Sequence, residues 1–321
     1  MVNASDTGQG LQAVAEGLRV AVLVPCYNEQ DAIGKVVRDF RRALPLATVY
    51  VYDNNSWDAT RARAGEAGAV VRGEPLQGKG HVVRRMFADV EADVYVLVDG
   101  DDTYDAGSAP AMVERLLTEQ LDMVVARRVT EEEAAYRRGH RLGNRVLTGV
   151  VARVFGDRFS DILSGYRVFS RRFVKSFPAL TEEFEIETEL TVHALELAMP
   201  IAEVATPYRS RPPGSASKLR TYRDGLRILL VILVLFKEER PVAFFGLGAL
   251  ALALLSLALG VPILTEYLET GLVPRFPTAI LATGLMILAF LGFASGLILG
   301  TVTRGRRELK RLAYLAIQGP R

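Results

Sequence analysis

The sequence predicts an α/β domain built on a mostly parallel sheet, followed by two helices long and apolar enough to cross a bilayer. Three observations carry this. Runs rich in Val and Tyr alternate with amphipathic stretches between residues 18 and 125. Polar clusters close the first, second and fourth of those runs. Two uncharged stretches, 242–264 and 276–303, each exceed the roughly 20 residues that span a bilayer core as a helix.

Strands are expected at 18–24 (LRVAVLV), 47–52 (ATVYVY), 69–73 (AVVRG), 92–98 (ADVYVLV) and 121–125 (LDMVV). Between them EQDAIGKVVRDFRRAL and HVVRRMFADVEA read as helices. Strand and helix in alternation imply a sheet with helices on both faces. In such sheets ligands sit beyond the carboxyl ends of the strands, where PCYNE, DNNSWD and DGDDTYD fall. From 126 to 219 the pattern loosens into a basic helical segment, a loop containing SDILSGYRVFS, the acidic EEFEIETEL and the Pro/Gly/Ser-rich RSRPPGSASK.

TYRDGLRILLVILVLFKEER has charged ends and an apolar middle, the pattern of a helix lying in the membrane interface. Five cations, Arg220, Arg223, Arg227, Lys237 and Arg240, precede the first apolar stretch; Arg304, Arg306, Arg307, Lys310 and Arg311 follow the second. The connection between the spans carries Glu266, Glu269 and Arg275. The positive-inside rule then places both flanks, the long N-terminal domain and both termini in the cytoplasm. The expected organisation is a flexible N-terminus (1–17), a cytoplasmic catalytic domain (18–219), an interfacial amphipathic helix (220–240), a two-helix transmembrane region (241–303) and a basic cytoplasmic tail (304–321). The small residues of GLGALALA and GFASGLILG offer a seam for a homo-oligomer.

Composition excludes several classes. Half the residues are hydrophobic, 24% are charged and the net charge is +2, so neither a disordered chain nor a nucleic-acid binder is indicated. The N-terminus lacks the basic and apolar blocks of a signal peptide. Cys26 is the single cysteine and reads as a packed small residue rather than a nucleophile; His81, His140 and His193 show no metal-ligand spacing. After the first strand there is no Gly-x-Gly-x-x-Gly, and no Gly-Lys-Ser/Thr phosphate loop occurs, so nicotinamide and P-loop chemistry are disfavoured.

A divalent cation explains the acidic cluster better. Mg²⁺ and Mn²⁺ take one or two carboxylates and complete their shells with phosphate oxygens. Asp99 and Asp101 can turn toward one ion if the chain bends at Gly100. Asp102 either touches a substrate or simply turns the chain, and Asp105 is expected to cap a helix starting near Gly107 to Pro110. At the other strand ends Asp53 can accept hydrogen bonds from a nucleobase and Glu29 from ribose hydroxyls, while Lys79 between two glycines suits a phosphate.

VPCYNEQDAI, VYDNNSWDAT, GKG, VDGDD and SGYRVFSRR, in that order, resemble the GT-A-fold family 2 glycosyltransferases. With RPPGSASKL and the apolar tail the chain is similar to the dolichol-phosphate mannosyltransferase and polyprenyl-phosphate glycosyltransferase group. The resemblance implies that Pro25, Tyr27, Glu29 and Asp53 hold the nucleoside, that Asp99 and Asp101 ligate Mg²⁺ or Mn²⁺, and that Asp102 joins them in the catalytic set. Thr103 stands where the dolichol enzymes carry a metal-binding Gln. Arg127, Arg141, Arg167, Arg211, Ser217 and Lys218 become candidates for the lipid-phosphate acceptor. Glu187 and Glu189 suit a helix start or an orienting contact for those arginines better than a base. The implied reaction is inverting transfer of a hexose from a nucleotide-sugar, of the GDP-mannose, UDP-glucose or UDP-N-acetylglucosamine type, to a dolichyl or undecaprenyl phosphate. Transfer to another lipid or to a polysaccharide, and a non-catalytic nucleotide-binding scaffold, are the alternatives. A processive synthase is disfavoured because its Gln-x-x-Arg-Trp stretch is absent: the sole Trp is Trp57.

Overall fold

Seven strands form one sheet in the order β3-β2-β1-β4-β6-β5-β7. The structure, a computed structural model, describes residues 17–129, 161–178, 186–209, 233–234 and 236–319. Strands β1 (Val20–Cys26), β2 (Thr48–Asp53), β3 (Val70–Gly73) and β4 (Val94–Leu97) pair in parallel, as the alternation of strand and helix requires. Helices cover both faces, so β1 and β4 are apolar and buried along almost their whole length.

The covering helices follow their apolar spacing. In α1 (Ile33–Ala43) Ile33, Val36, Val37 and Phe40 lie one turn apart on one face, and all four are buried. Phe40 meets Tyr166 edge-on at 5.9 Å. Helices α2 (Thr60–Glu66) and α3 (Lys79–Asp89) follow β2 and β3. A 3₁₀ turn (Ala106–Ser108) then leads into α4 (Ala109–Thr118). Asp105 stands before that turn and accepts from the Ser108 hydroxyl at 3.0 Å. The α4 face of Ala109, Met112, Val113, Leu116 and Leu117 is buried, and a proline sits in its first turn, where a missing N–H costs nothing.

Beyond β5 (Met123–Val129) the structure departs from the sequence reading. The RVFS segment, expected in a loop, is strand β6 (Arg167–Ser170), inserted antiparallel between β4 and β5 with all four residues buried. Two apolar residues between two arginines and a serine give too short a pattern to signal a central strand. Strand β7 (Ile201–Pro207), also unforeseen, pairs parallel to β5. Helix α5 (Arg171–Ser176) starts from Ser170, whose hydroxyl accepts from the Phe173 N–H. Helix α6 (Ile186–Glu196) takes in the end of the acidic stretch from 186 on; 182–185 lie outside the described residues.

Two further helices are α7 (Pro241–Thr270) and α8 (Phe276–Leu315). Each contains an 18-residue stretch, of mean hydropathy 2.4 and 2.3 respectively, apolar enough for a membrane span. The chain divides into two units, 1–225 with 310–321, and 226–309. Within the second unit α7 and α8 meet through small residues: a Cβ on Gly296 would lie 3.0 Å from Phe245 Cβ, and one on Gly300 would lie 2.7 Å from Val242 Cγ2. Ser256 donates to the Ala282 carbonyl at 2.7 Å. The glycines of GFASGLILG, expected at a homo-oligomer seam, therefore serve this chain's own helix pair. Most of the expected interfacial helix 220–240 lies outside the described residues; 233–234 and 236–239 are helical. Residues 304–315, expected in a tail, continue α8.

Residues 310–319 group with the sheet domain. Lys310 pairs with the buried Glu196 at 2.7 Å, and Tyr314 donates to Asp122 at 2.7 Å beside the Arg172 guanidinium. Next to them His193 is 1% exposed between Phe173 and Phe177, with Nε2 3.2 Å from the Ser176 hydroxyl and Nδ1 unpartnered. Burial, reinforced by the Lys310 ammonium, pushes the imidazole down to about 3. The unfolded chain, with His near 6.5, binds this proton first, so His193 withdraws stability as pH falls below about 6.5 toward 3. Between pH 6.5 and 5 the loss amounts to ~2 kcal/mol. His193→Gln is expected to flatten the fall in apparent Tm of the full chain between pH 7 and 5; an unchanged slope would show that other groups set it.

Candidate functional site

The site is assembled at the carboxyl ends of β1, β2 and β4. Asn28 (φ 54) and Asn55 (φ 64) adopt left-handed backbone, which Asn tolerates better than most residues, and let the loops after β1 and β2 turn sharply. The loops are stitched together: Asn28 N–H donates to Ser56 Oγ at 2.8 Å, Trp57 N–H to Asn28 Oδ1 at 3.1 Å and Glu29 N–H to Thr60 Oγ1 at 2.9 Å. Pro25, Tyr27 and Glu29 are half-buried along this seam.

Asp53 closes β2 at 2% exposure. Its Oδ2 accepts from Ser56 N–H at 3.3 Å and faces Arg61 at 3.7 Å, whereas Oδ1 is buried without a partner. An unsatisfied carboxylate oxygen in the interior costs a full desolvation penalty, which a ligand N–H would relieve. Asn54, a residue the sequence reading passed over, fixes the next loop. Its Nδ2 donates to the Glu74 and Leu76 carbonyls at 2.9 and 2.7 Å, and its Oδ1 accepts from Gly78 N–H at 2.8 Å. Gly78 has φ 134, accessible to glycine at little cost, and it launches α3 with Lys79 as the first residue.

Lys79 Nζ lies 2.5 Å from both Asp99 Oδ1 and Glu187 Oε1. Burial would lower the ammonium, but the charges of Asp99 and Glu187 outweigh it and hold Lys79 well above its ordinary value. Held between the two carboxylates, Lys79 is therefore a cation.

The Asp99-x-Asp101 pair depends on two glycines. A Cβ on Gly100 would lie 2.5 Å from Cys26 Sγ, so only glycine passes between the carboxylates there. A Cβ on Gly165 would lie 2.4 Å from Asp99 Oδ2: the space around this carboxylate exists because residue 165 has no side chain. Asp101 is 4% exposed, and its Oδ1 accepts from the Thr103 hydroxyl at 2.6 Å and the Thr103 N–H at 3.2 Å. Thr103 thus orients Asp101. Asp102 (φ 59) turns its carboxylate to Lys35 of α1 at 2.6 Å, which favours its chain-turning role. No group of three or more His, Cys, Asp or Glu suited to a metal occurs among the described residues. Two carboxylates, room around Asp99 and a cation already drawn to it fit a Mg²⁺ or Mn²⁺ that takes its other ligands from phosphate. Burial raises the Cys26 thiol, consistent with packing rather than reactivity.

Arg167, expected among the acceptor cations, requires correction. Its side chain is fully buried, with Nε donating to the Ser164 carbonyl at 2.9 Å, Nη2 to the Ile162 carbonyl at 2.6 Å and Nη1 to Thr191 Oγ1 at 2.9 Å. Desolvation lowers the guanidinium to about 10. Thr191 in turn donates to the Glu187 carbonyl at 2.9 Å, so Arg167 fastens the Ile162–Ser164 loop and the first turn of α6. Arg127 is exposed on β5. Arg141, Arg211, Ser217 and Lys218 lie outside the described residues.

Two measurements check these placements. Arg167→Met strands two buried carbonyls and is expected to cost ~2–5 kcal/mol, read as a lower apparent Tm, whereas an acceptor-contacting arginine would leave melting unchanged. Gly165→Ala is expected to weaken Mn²⁺ binding with little change in melting, because the methyl group displaces Asp99; unaltered binding would show that Asp99 moves freely.

Comparison with known proteins agrees with this geometry. The model of the Glycosyl transferase family 2 matches residues 21–177. Glycosyltransferase AglJ of Haloferax volcanii is 33% identical over 301 residues, 92% of this chain and 98% of that protein. A dolichyl-phosphate hexose transferase of the same organism is 29% identical over 69% of this chain and 95% of its own. Among solved structures, glucosyl-3-phosphoglycerate synthase from Mycobacterium tuberculosis in complex with Mn²⁺, UDP and phosphoglyceric acid matches with a TM-score of 0.58 and 25% identity, covering 72% of this chain and 81% of that one. The same enzyme with Mg²⁺ and UDP also matches with a TM-score of 0.58. On the fold, the arrangement at the strand ends and near full-length similarity to a relative, the chain belongs to glycosyl transferase family 2.

Proposed function

We propose that this GT-A-fold enzyme transfers a hexose from a nucleotide-sugar to a polyisoprenyl phosphate at the cytoplasmic face of a membrane, inverting the anomeric carbon. One observation carries the donor side: a buried carboxylate oxygen of Asp53 without a partner, on the same sheet edge as Asp99, Asp101 and Lys79. Asp53 accepts a nucleobase N–H, Tyr27 and Glu29 flank the nucleoside, and Lys79 donates to a diphosphate oxygen. Thr103 keeps Asp101 in one orientation.

A divalent cation held by Asp99 and Asp101 would neutralise the charge developing on the departing diphosphate. The acceptor phosphate is already an anion near neutral pH, so the chain needs no strong base. Its task is to hold an acceptor oxygen in line with C1. The new bond from that oxygen to C1 forms as the C1–oxygen bond to the diphosphate breaks, the electron pair leaving with the nucleoside diphosphate. One displacement inverts C1.

The lipid acceptor is supported by the apolar pair α7 and α8 and by the dolichyl-phosphate hexose transferase among the relatives. Arg127, Arg141, Arg211, Ser217 and Lys218 are its candidate phosphate contacts. Cations on both outer flanks of the helix pair favour a cytoplasmic domain and cytoplasmic termini.

The test is transfer of radiolabelled sugar from a panel of GDP- and UDP-sugars to dolichyl and undecaprenyl phosphate. Transfer from one donor, abolished by chelation and lowered on the order of 10²–10³-fold by Asp101→Ala, is the expected outcome. Absence of transfer from every donor to either lipid would refute the assignment.

A further inference from the structure

Glu187 is buried and has no part in the reaction as described. It lies 108 positions from Lys79, yet its Oε1 is 2.5 Å from the ammonium. The two carboxylates that share Lys79 differ in access. The Asp99 side chain is 30% exposed and that of Glu187 only 8%. Glu187 is also held from behind, because Arg167 and Thr191 fasten the first turn of α6 through its own carbonyl. A ligand at the strand ends reaches Asp99 and leaves Glu187 where it is.

We infer that Lys79 is a shared counter-ion that moves between two partners and that Glu187 is the positioning residue that tethers it throughout. This rests on the donor site proposed above. Without ligand, Lys79 neutralises Asp99 and keeps the carboxylate pair from repelling itself. When Asp99 turns to a divalent cation, Lys79 gives up that contact, stays on Glu187 and donates to the donor diphosphate instead. Charge balance favours the exchange: an ammonium left on Asp99 would compete with the cation, and a diphosphate arriving without the ammonium would have nothing to offset the Glu187 carboxylate beside it.

The test uses binding rather than turnover. Mn²⁺ is titrated into the full chain in detergent micelles and the free ion is read by electron paramagnetic resonance. The titration is made without nucleotide, and then with UDP and with GDP at fixed Mn²⁺. Removing the competing ammonium in Lys79→Met is expected to tighten Mn²⁺ binding roughly tenfold without nucleotide and to weaken nucleoside diphosphate binding by a similar factor. Glu187→Gln is expected to weaken nucleoside diphosphate binding while Lys79 is present, and to leave it unchanged or tighter in the Lys79→Met background. The sign is diagnostic, because a carboxylate that acts only by its charge would repel the anion, and its removal would tighten binding in both backgrounds. If Lys79→Met alone does not fold, the double variant, which leaves no buried charge unpaired, is compared with Glu187→Gln for the same gain in Mn²⁺ affinity. Unchanged or weaker Mn²⁺ binding on loss of Lys79, or tighter nucleotide binding in Glu187→Gln alone, would overturn the inference. Mn²⁺ binding that survives Asp99→Asn and Asp101→Asn would overturn the donor site and the inference with it.

Discussion

The repulsion among carboxylates gathered at one sheet edge is the constraint on which the rest of this domain is arranged. Asp53 ends β2, Asp99 and Asp101 both follow β4 on the other side of β1, and Glu187 arrives from α6 to share Lys79 with Asp99. Such a cluster is stable only where cations or donated hydrogen bonds answer each charge. Lys79 answers two of them at once, the Thr103 hydroxyl and N–H answer Asp101, and Lys35 draws Asp102 away to the surface of α1. Asp53 Oδ1, buried at the same edge, is left without a partner.

This balance extends into the scaffold. Lys79 is positioned by the turn at Gly78, which Asn54 fastens from the end of β2. Asp99 has room because Gly165 carries no side chain, and Gly165 N–H donates to the Tyr104 hydroxyl at 2.9 Å just beyond the acidic turn. Glu187 is held by Thr191 and Arg167, and Arg167 is anchored in turn on the Ile162 and Ser164 carbonyls. The antiparallel strand β6 thus does more than complete the sheet: it carries the buried arginine that secures the helix whose Glu187 meets Lys79.

How far the sequence revealed this differs from residue to residue. The parallel half of the sheet was legible because Val-rich runs and amphipathic helices alternate over short distances, and the period of each is local. The gathering of the Asp-x-Asp pair, Asp53 and Lys79 at one edge was legible because the carboxyl ends of parallel strands lie side by side in any sheet of this kind. β6 was not, since two apolar residues flanked by arginines resemble a loop until both neighbours in the sheet are known. Arg167 was misread for the same reason: a charged residue in a basic stretch looks solvent-facing, and only packing reveals carbonyls waiting for it.

The sequence by itself determined the family, the strand-end carboxylates and the two apolar spans, because each is written in residues close together along the chain. The tertiary structure alone decided which charges meet. Glu187 and Lys79 are joined across 108 positions, Arg167 is drawn inside rather than left at the surface, and Asp102 is turned outward to Lys35. Charges act through space and not along the chain, so their partners appear only when β4, α3 and α6 are brought together.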